Sequence, residues 1–457
     1  MDTEKQNDIF HFSADAYRID SALYTHYDVK RGLRNLDGSG VLAGLTQISE
    51  VHGYIVSEGE KTADYGTLAY RGYDINDLAK HCGIDGRYRY EEACYLLLFG
   101  HLPSADEFQA FLGFLANNAE LPEGFTEDMI LKTPSRDIMN KLSRSVLTLY
   151  SYDDAADVTS TKNVLRQSLA LISKMPVLAA YGYQAKAHSF DRKSLVLHQP
   201  RPEYSIAENL LHMMRDDSKF TKEEAEILDL CLLLHAEHGG GNNSAFTCRV
   251  LTSSGTDTYS AISGAINALK GPKHGGANVK VVRMMRDIKK HVANWQDEQE
   301  VLAYLEKIVK KRAGDKTGLI YGMGHAVYTL SDPRTLLLKE QAEAISKKTG
   351  RSDEFQLYQL VEALAPKAFQ NVKKDAKVIS ANVDFYSGFV YNMLGIPEEM
   401  YTPLFAVARC AGWCAHRLEE LISGGRILRP AYKSVCKNGK EFIKLHDRSH
   451  AKIETSE

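Results

Sequence analysis

Apolar residues recur every three or four positions along most of this 457-residue chain. Met139, Leu142, Val146 and Leu149 show the spacing that places side chains on one face of an α-helix. The same spacing continues through Leu210–Met214, Ala225–Leu234, Ala261–Leu269, Val279–Ile288, Val301–Val309, Leu336–Ile345 and Leu357–Phe369. Only 12 residues are proline, about half the usual share of roughly 5%, so few helices are interrupted. We therefore predict a mainly α-helical protein.

Size and charge restrict the domain count and the partners. At about 100–200 residues per domain, the length predicts two or three domains. The chain has 56 basic and 59 acidic residues, a net charge of −3, which argues against a nucleic-acid partner. No apolar run approaches the roughly 20 residues that cross a bilayer. The acidic start, with Asp2, Glu4 and Asp8, is unlike a signal or transit peptide. We expect no membrane association and a cytoplasmic location.

The seven cysteines are scattered and form no Cys-x-x-Cys pair. This arrangement argues against a zinc ribbon and favours free thiols in a reducing compartment. Cys410 and Cys414, one helical turn apart, are predicted to be small packing residues.

Short β-rich segments occur only near the N-terminus. Val41–Ile48, His52–Ser57 and Thr67–Tyr70 are rich in β-forming residues and are flanked by glycines. They predict one small sheet.

Breaks in the helical pattern predict loops. Gly100 and Pro103 split one pattern into two helices. The polar stretch Ala185–Glu203 predicts a surface loop, and Lys310–Gly318 predicts a charged, glycine-containing break.

Histidine and glycine concentrate in the segment His235–Ser244, which reads HAEHGGGNNS. Two histidines three positions apart on a helix could share a metal ion. However, glycines follow His238 at once and no third ligand is apparent. A histidine that caps the C-terminus of a helix is the alternative interpretation.

A second glycine-rich turn, Gly271–Asn278, reads GPKHGGAN and precedes a helical pattern. His274 would lie near the positive N-terminal end of that helix, which disfavours the imidazolium form. A neutral His274 that donates a hydrogen bond is the resulting hypothesis. A phosphate-binding loop is the rival, although no G-x-x-x-x-G-K-[ST] match exists.

The segment Tyr321–Arg334 reads YGMGHAVYTLSDPR. It places His325 after a Gly-x-Gly turn and Arg334 after an Asp-Pro pair. A Gly-x-Gly turn alone is a weak sign of a phosphate loop, but the histidine and the arginine nine residues later make the pattern far more specific.

Asp384 lies in a largely apolar run that reads VISANVDFYSG. A helix cap or an Asx turn is one interpretation, and a desolvated carboxylate acting as a base is the other. Arg409 lies in the apolar helical segment Phe405–Trp413, where a guanidinium needs an anionic partner. Arg429, taken alone, is typical of a surface arginine.

Together these segments resemble the citrate synthase family. Gly322–Arg334 matches the family signature Gly-x-Gly-His-x-Val…Asp-Pro-Arg. Gly271–Asn278 matches Gly-Pro-x-His-Gly-x-Ala-Asn, and Asn382–Gly388 matches Asn-Val-Asp…Ser-Gly. The order and spacing of the three motifs also agree, and the resemblance runs from about Gly32 to Lys433.

The resemblance implies an acyltransferase of the tricarboxylic acid cycle that converts its acyl group to an alkyl group on transfer. Acetyl-CoA would condense with oxaloacetate, and the thioester would then be hydrolysed to citrate and CoA. Asp384 would remove a proton from the acetyl methyl group. His274 would donate a hydrogen bond to the thioester oxygen, and His325 would protonate the oxaloacetate carbonyl. No metal and no permanently bound cofactor are implied.

The resemblance also implies how oxaloacetate is held. His238, Arg334 and Arg409 match family residues that bind oxaloacetate. Arg429 matches an arginine that the partner subunit supplies, so a homodimer, and possibly a hexamer, is implied.

For CoA, the resemblance implies contacts with the backbone of Gly322, Met323 and Gly324 at the adenine end. Arg34 is expected to meet a CoA phosphate. Thr329 stands where some relatives carry a basic residue, so no phosphate contact is expected there.

The fold implied is a two-domain, multi-helical citrate synthase fold with a small N-terminal β-sheet. Residues 1–276 would begin the large helical domain, 277–386 would form the small domain, and 387–457 would complete the large one. Many relatives have Asp-His-Glu where this chain has Glu237, His238 and Gly239, so the contacts of that loop are open.

Two other functions fit the same residues. The first is 2-methylcitrate synthase, which uses propionyl-CoA, because one methylene in an apolar pocket changes the free energy of binding by only about 1–3 kcal/mol. The second is a non-catalytic helical ligand sensor or scaffold, against which the intact set of acid, histidines and arginines argues.

Overall fold

The computed structural model describes residues 17–35, 38–57, 60–325, 327–373, 379–423, 425–436, 439 and 441–447. Within these ranges helices predominate and three strands form one small sheet, as the sequence predicts. A short helix, α1 (Ser21–His26), precedes the sheet.

The sheet is antiparallel, with its strands in sequence order. The strands are β1 (Ser49–Ser57), β2 (Glu60–Tyr70) and β3 (Tyr73–Asp74). Ser49 pairs with Tyr70, and the register shifts between His52 and Tyr54. Between these pairs Gly53 of β1 faces three residues of β2, Asp64 to Gly66, so the extra residues of the irregularity lie on β2.

A first group of helices encloses the main core. It consists of α2 (Ile75–His81), α3 (Arg89–Phe99), α4 (Ala105–Asn117), α5 (Ile138–Leu149), α6 (Thr161–Asp191), α7 (Ile206–Met214), α8 (Lys222–His235), α9 (Asn243–Ser253), α10 (Thr258–Lys270) and α16 (Tyr401–Ile422). Shorter π and 3-10 turns lie at Thr126–Leu131, Tyr150–Tyr152, Glu398–Met400 and Leu445–Asp447.

Helix α16 is the centre of this group. Its residues from Pro403 to Leu418 are all buried, and it packs against α3, α6, α8, α9 and α10. A helix that is apolar on every side must be covered on every side. The apolar run around Arg409 therefore becomes the central core helix.

A second group of helices lies between α10 and α16 in the chain. Its members are α11 (Ala277–His291), α12 (Glu298–Val309), α13 (Pro333–Lys348), α14 (Ser352–Val372) and α15 (Val383–Met393). Within the group α11 and α13 both pack on α15, and α12 packs on α14. The second group meets the first where α13 contacts α2, α8 and β2, and where α11 contacts α16.

Several predicted boundaries are confirmed. Helix α3 ends at Phe99 with Gly100 in the left-handed region, at a φ of +85°. Helix α4 then begins after a capping box formed by Ser104 and Glu107. The predicted break at Lys310–Gly318 separates α12 from the loop that carries His325.

The strand predicted at Val41–Ile48 is wrong. Leu42 and Leu45 are 87% and 89% exposed, and β1 begins only at Ser49. The Thr46 hydroxyl and the Gln47 amide N–H donate to the Glu419 carboxylate on α16 instead of to a strand. A distant side chain thus takes the backbone donor that a sheet would have used.

The loop predicted at Ala185–Glu203 begins too early. Helix α6 continues to Asp191 because Ala185 and Ala187 are buried in the core, and it ends where Arg192 adopts a left-handed conformation. Only the second part of the predicted loop is irregular.

The cysteines in the described ranges are free thiols, as predicted. Cys410 and Cys414 are buried, with their Sγ atoms 4.0 Å apart, whereas Cys436 is exposed. Across the residues that the structure describes, no helix combines the length and the apolar character that a membrane span requires.

Candidate active site

Arg409 on α16 lies at the centre of a cluster that joins four separate chain segments. Its charge acts on the pKa values of His238, His274 and Asp384. The rings of His238 and His325 meet edge to face, with 5.0 Å between their centroids. The structure thus brings together the three histidines and the aspartate that four separate segments of the sequence supply.

His325 has a defined tautomer. Its Nδ1 atom accepts hydrogen bonds from the backbone N–H groups of Val327 at 3.1 Å and Tyr328 at 3.2 Å. Burial, followed by the charge of Arg334, lowers the pKa of His325 to about 4. A neutral ring whose Nδ1 accepts must carry its proton on Nε2. His325 can therefore donate a hydrogen bond from Nε2.

His274 lies in the turn before α11 and is also neutral. Burial, followed by the charge of Arg409, lowers its pKa to about 4. This supports the neutral form that the sequence predicts, and burial is the largest cause of the lowered pKa. Its Nε2 atom is 3.1 Å from the hydroxyl of Ser244.

Ser244 is held from a second side by Trp413, a residue of α16. The indole N–H of Trp413 can only donate, and it lies 3.0 Å from Ser244 Oγ. The proton of the Ser244 hydroxyl is then left for His274 Nε2 or for Asn242 Oδ1, which is 2.9 Å away. Ser244 therefore orients the His274 ring.

Asp384 lies in the first turn of α15 and does not cap the helix. The cap is Asn382, whose side chain accepts a hydrogen bond from the Asp384 N–H at 3.0 Å. Burial raises the pKa of the Asp384 carboxyl to about 6, with Arg334 opposing and Asp332 reinforcing the shift. The carboxyl is thus a stronger base than an exposed aspartate, yet it is ionised at neutral pH.

The Gly-x-Gly turn before His325 is tied to the segment before Asp384. The N–H of Gly324 donates to Ser380 O at 2.7 Å, and the N–H of Asn382 donates to Gly322 O at 2.8 Å. Gly322 has a φ of +77°, and a Cβ there would lie 2.8 Å from the Phe385 ring. Only glycine fits at this position of the turn. The two backbone hydrogen bonds fix His325 and Asp384 relative to each other.

Arg334 and Arg409 are both almost fully buried, at 2% and 1% exposure. Arg334 donates from Nε at 3.0 Å and from one terminal nitrogen at 2.7 Å to Asp332, the residue that caps α13. Arg409 donates from Nε to the carbonyl of His235 at 2.7 Å, and its NH1 group has no partner among the described residues. Burial lowers the pKa of Arg409 and the charge of Arg334 acts in the same direction, so the two buried guanidinium groups interact and could together hold a dianion.

His238 lies three residues beyond the end of α8, so it does not cap that helix. Its Nε2 atom is 3.2 Å from the hydroxyl of Tyr328. Across the described part of the chain, no three side chains of the metal-binding types are grouped to hold a metal ion.

Tyr328 is a site residue that the sequence analysis missed. It is buried, its ring stacks on His325 with 4.7 Å between centroids, and its hydroxyl contacts His238 and Thr67 O. Its place three residues after His325, inside the signature, was the signal that could have identified it.

The structure does not bring Arg34 or Arg429 into this cluster. Arg34 is exposed and donates to Gly38 O at 2.9 Å within a local turn. Arg429 is exposed in the irregular segment that follows α16. Nothing within this single chain places either residue beside Arg409.

Comparison with known proteins matches residues 35–431 to the family model described as "Citrate synthase, C-terminal domain". The chain is 32% identical over 427 residues to a citrate synthase of Haloferax volcanii, covering 92% of this chain and 99% of that protein. It is 34% identical over 386 residues to citrate synthase 2 of Bacillus subtilis, covering 84% and 94% of the two chains.

Solved structures agree. Citrate synthase of Pyrobaculum aerophilum superposes with a TM-score of 0.73 at 30% identity, over 92% of this chain and 95% of that one. A ternary complex of a Thermoplasma acidophilum citrate synthase with carboxymethyl-CoA and oxaloacetate has a TM-score of 0.74. At 24% identity over 92% and 99% of the two chains, this second match supports the fold.

Proposed function

The chain belongs to the citrate synthase family of acyltransferases, and from this premise we propose that it condenses acetyl-CoA with oxaloacetate and hydrolyses the resulting thioester to citrate and CoA. The observation that carries the proposal is the cluster around Arg409. It combines one carboxylate with a raised pKa, two neutral histidines and two buried arginines.

Proton removal from the acetyl methyl group is the first step. Asp384, ionised at neutral pH with a pKa of about 6, takes the proton. A thioester methyl group is a weak acid, so the oxygen that gains charge must be stabilised at the same time. His274 donates from Nδ1 to that oxygen when the Ser244 hydroxyl donates to its Nε2 atom, 3.1 Å away.

Carbon–carbon bond formation follows. The enol carbon attacks the keto carbon of oxaloacetate, and the keto oxygen receives the Nε2 proton of His325. The hydrogen bonds from Val327 and Tyr328 to Nδ1 hold this donor in place. The proton that Asp384 took returns to His325 through the site, which restores both groups. Water then adds to the carbonyl carbon of the citryl thioester, the C–S bond breaks, and the sulfur leaves with a proton as the thiol of CoA.

Oxaloacetate carries two carboxylates that need cationic partners. We assign Arg334 and Arg409 to them, with His238 as a further polar contact. Arg429 from the partner subunit of a homodimer would complete the set. Arg429 is exposed and lies outside the Arg409 cluster of its own chain, which supports a role in the site of a neighbouring subunit.

For CoA, we assign the backbone of Gly322, Met323 and Gly324, in the loop beside Asn382, where Gly322 is buried and Met323 and Gly324 are partly exposed. A phosphate contact by Arg34 would have to come from a change in its local turn or from the second subunit. Residues 277–386 are proposed to be the small domain that closes over the site and excludes water. The limited contact between the two helix groups supports two bodies, but the second group includes all of α15 and so extends to Met393, past residue 386.

Asp384→Asn tests the proposal. The substitution removes the base but leaves the arginines, so oxaloacetate should still bind while kcat falls by roughly 10²- to 10⁴-fold. Calorimetric titration gives the binding and a steady-state assay gives kcat. Near-normal turnover in this variant would show that Asp384 is not the base.

A further inference from the structure

Glu237 directly precedes His238 and has no part in the chemistry above. Its carboxylate is fully buried. The Oε1 atom meets three donors: His416 Nε2 at 2.9 Å, Ser49 Oγ at 3.0 Å and the Gly239 N–H at 2.5 Å. The carboxylate therefore binds the residue after His238 and connects it to two distant elements.

The contact between His416 and Glu237 is supported by Arg249. The guanidinium of Arg249, on α9, lies 2.7 Å from His416 Nδ1. A guanidinium only donates, so Nδ1 accepts and the His416 proton lies on Nε2, directed at Glu237. Arg249 is itself paired with Glu419 and Glu420 of α16. Glu237 thus receives a hydrogen bond from a ring that is fixed on its far side.

The segment 235–239 is held against α16 at a second point. Arg409 donates to the carbonyl of His235 at 2.7 Å. One turn later on the same helix, a Cβ on Gly412 would lie 2.2 Å from Glu237 Oε2 and 2.5 Å from Ala236 O. Only glycine permits so close an approach, so Glu237 is seated directly on the helix backbone.

The carboxyl group of Glu237 is ionised at neutral pH. Burial alone would raise its pKa, but the interactions with His416, Arg409 and Ser49 outweigh burial and lower the pKa of Glu237 to about 2. A buried carboxylate that is ionised and held by three donors fixes the backbone around it.

Accepting the proposed function, we propose that Glu237 is a positioning residue for oxaloacetate, which holds His238 and the His235 carbonyl on α16 so that His238 and Arg409 face the same ligand. Glu237 does not touch the substrate in this assignment. It acts through the backbone of residues 235–239, where it accepts from the Gly239 N–H. Two contacts join this segment to α16: His416 donates to Glu237, and Arg409 donates to the His235 carbonyl.

The charge effect and the positioning effect of Glu237→Gln have opposite signs. Removing a negative charge near Arg409 should by itself strengthen the binding of a dianion. The glutamine oxygen can still accept, but the three hydrogen bonds lose the strength that the negative charge gives them, which should loosen His238 and weaken binding. We expect the Kd for oxaloacetate, measured by calorimetry on the full-length protein, to rise at least fivefold. An unchanged or lower Kd overturns the proposal.

Glu91→Gln is the matched control. Glu91 is also a buried acidic side chain, at 1% exposure, and it accepts from the Ile206 N–H in another part of the first helix group. Burial raises the pKa of Glu91 to about 8, so this substitution controls for the loss of a buried carboxyl group and not for the loss of a charge. This control should leave the Kd for oxaloacetate within twofold of wild type. In Glu237→Gln the KM for acetyl-CoA should stay within twofold while the KM for oxaloacetate rises. A merely destabilised enzyme would instead lose kcat with both KM values unchanged, and that result also contradicts the proposal.

Ser49→Ala is a second test of the positioning role of Glu237, to be used if Glu237→Gln does not fold. It removes one donor to Glu237 and leaves the carboxylate and its charge in place. We expect a two- to threefold higher Kd for oxaloacetate, and no change would overturn the proposal. These outcomes are separate from failure of the proposed function, in which the wild-type protein binds oxaloacetate but releases no CoA.

Discussion

Asp384 and His325 are both desolvated, and burial moves their pKa values in opposite directions. It disfavours the anion of the acid and the cation of the base, which raises the pKa of Asp384 to about 6 and lowers that of His325 to about 4. Near pH 7 the site therefore holds an ionised carboxylate beside neutral histidines. One carboxyl can accept a proton while the rings donate hydrogen bonds.

The pH dependence of kcat/KM follows from these values. Asp384 must be ionised, so kcat/KM should fall about tenfold per pH unit below pH 6. His274 and His325 stay neutral down to about pH 4 and add no inflection above pH 5. Initial rates measured between pH 5 and 8 would show this decrease in kcat/KM on the acidic side. A flat profile over that range would contradict the assignment of Asp384.

The motif residues of the site could be predicted because each lies in a short local pattern. Glu237 could not, since its partner His416 is remote in sequence. Tyr328 lies inside the signature, three residues after His325, but its contact with His238 is remote as well. His238 and Tyr328 are 90 residues apart, and Glu237 and His416 are 179 residues apart. Only folding reveals that a tyrosine stacks on one site histidine and contacts another.

Among the elements, the β1–β2 hairpin supports the loop that carries His325. A Cβ on Gly53 would lie 2.8 Å from Val327 O, and a Cβ on Gly66 would lie 2.1 Å from Ser331 O. The N–H of Gly66 also donates to Ser331 Oγ at 3.2 Å. The two glycines let the hairpin backbone touch the loop directly, which explains why a small sheet belongs in a helical enzyme.

Gly66→Ala tests this support. The new methyl group would collide with Ser331 O and with the Tyr328 ring, and would push the His325 loop away. A displacement of about 1 Å at a site can lower kcat by up to about 100-fold, so we expect a loss between 10- and 100-fold. Steady-state kinetics at saturating substrates would measure it.

Gly113→Ala is the control for that substitution. Gly113 lies inside α4, and a Cβ there meets nothing within 4 Å. Alanine should leave kcat unchanged and stabilise the helix by about 0.5–1 kcal/mol. Equal kcat values for the two variants would show that the contact between the hairpin and the His325 loop does not affect turnover.

Helices were easier to predict than strands in this chain. Apolar spacing reports the buried face of a helix directly, as in α5, where Met139, Leu142 and Val146 are all buried. The segment Val41–Ile48 has the composition of a strand, but Glu419 on α16 takes the Gln47 N–H. Helix α6 extends past the predicted start of the loop because the core around Ala185 favours continuation. Both errors come from tertiary contacts.

For the whole molecule, the C-terminal segment leaves the core after α16. Ile427 and Tyr432 are 61% and 96% exposed, and Arg429 lies between them. Apolar side chains left exposed on an extended arm are consistent with the homodimer proposed above.

Hybrid dimers test whether Arg429 acts across subunits. Asp384→Asn chains retain Arg429, and Arg429→Ala chains retain Asp384. If Arg429 serves the partner's site, each hybrid has one intact site. Random mixing of the two nearly inactive variants should then restore roughly a quarter of wild-type activity. Activity no higher than the sum of the separate variants would place Arg429 in its own subunit's site or outside any site.

The fold class follows from apolar spacing along the chain. The family follows from three motifs with defined spacing, which also contain His274, His325 and Asp384. The supporting contacts of Ser244, Trp413, Tyr328 and Glu237 depend on how helices pack, and no local pattern encodes them.

The most direct test measures CoA release from acetyl-CoA and from propionyl-CoA, each with and without oxaloacetate. Chromatographic detection is preferable to a thiol reagent because Cys436 is exposed. We predict release that depends on oxaloacetate, with the higher kcat/KM for acetyl-CoA. A preference for propionyl-CoA would reassign the enzyme to 2-methylcitrate synthesis. No release from either thioester, by a folded protein that still binds oxaloacetate, would contradict catalysis itself.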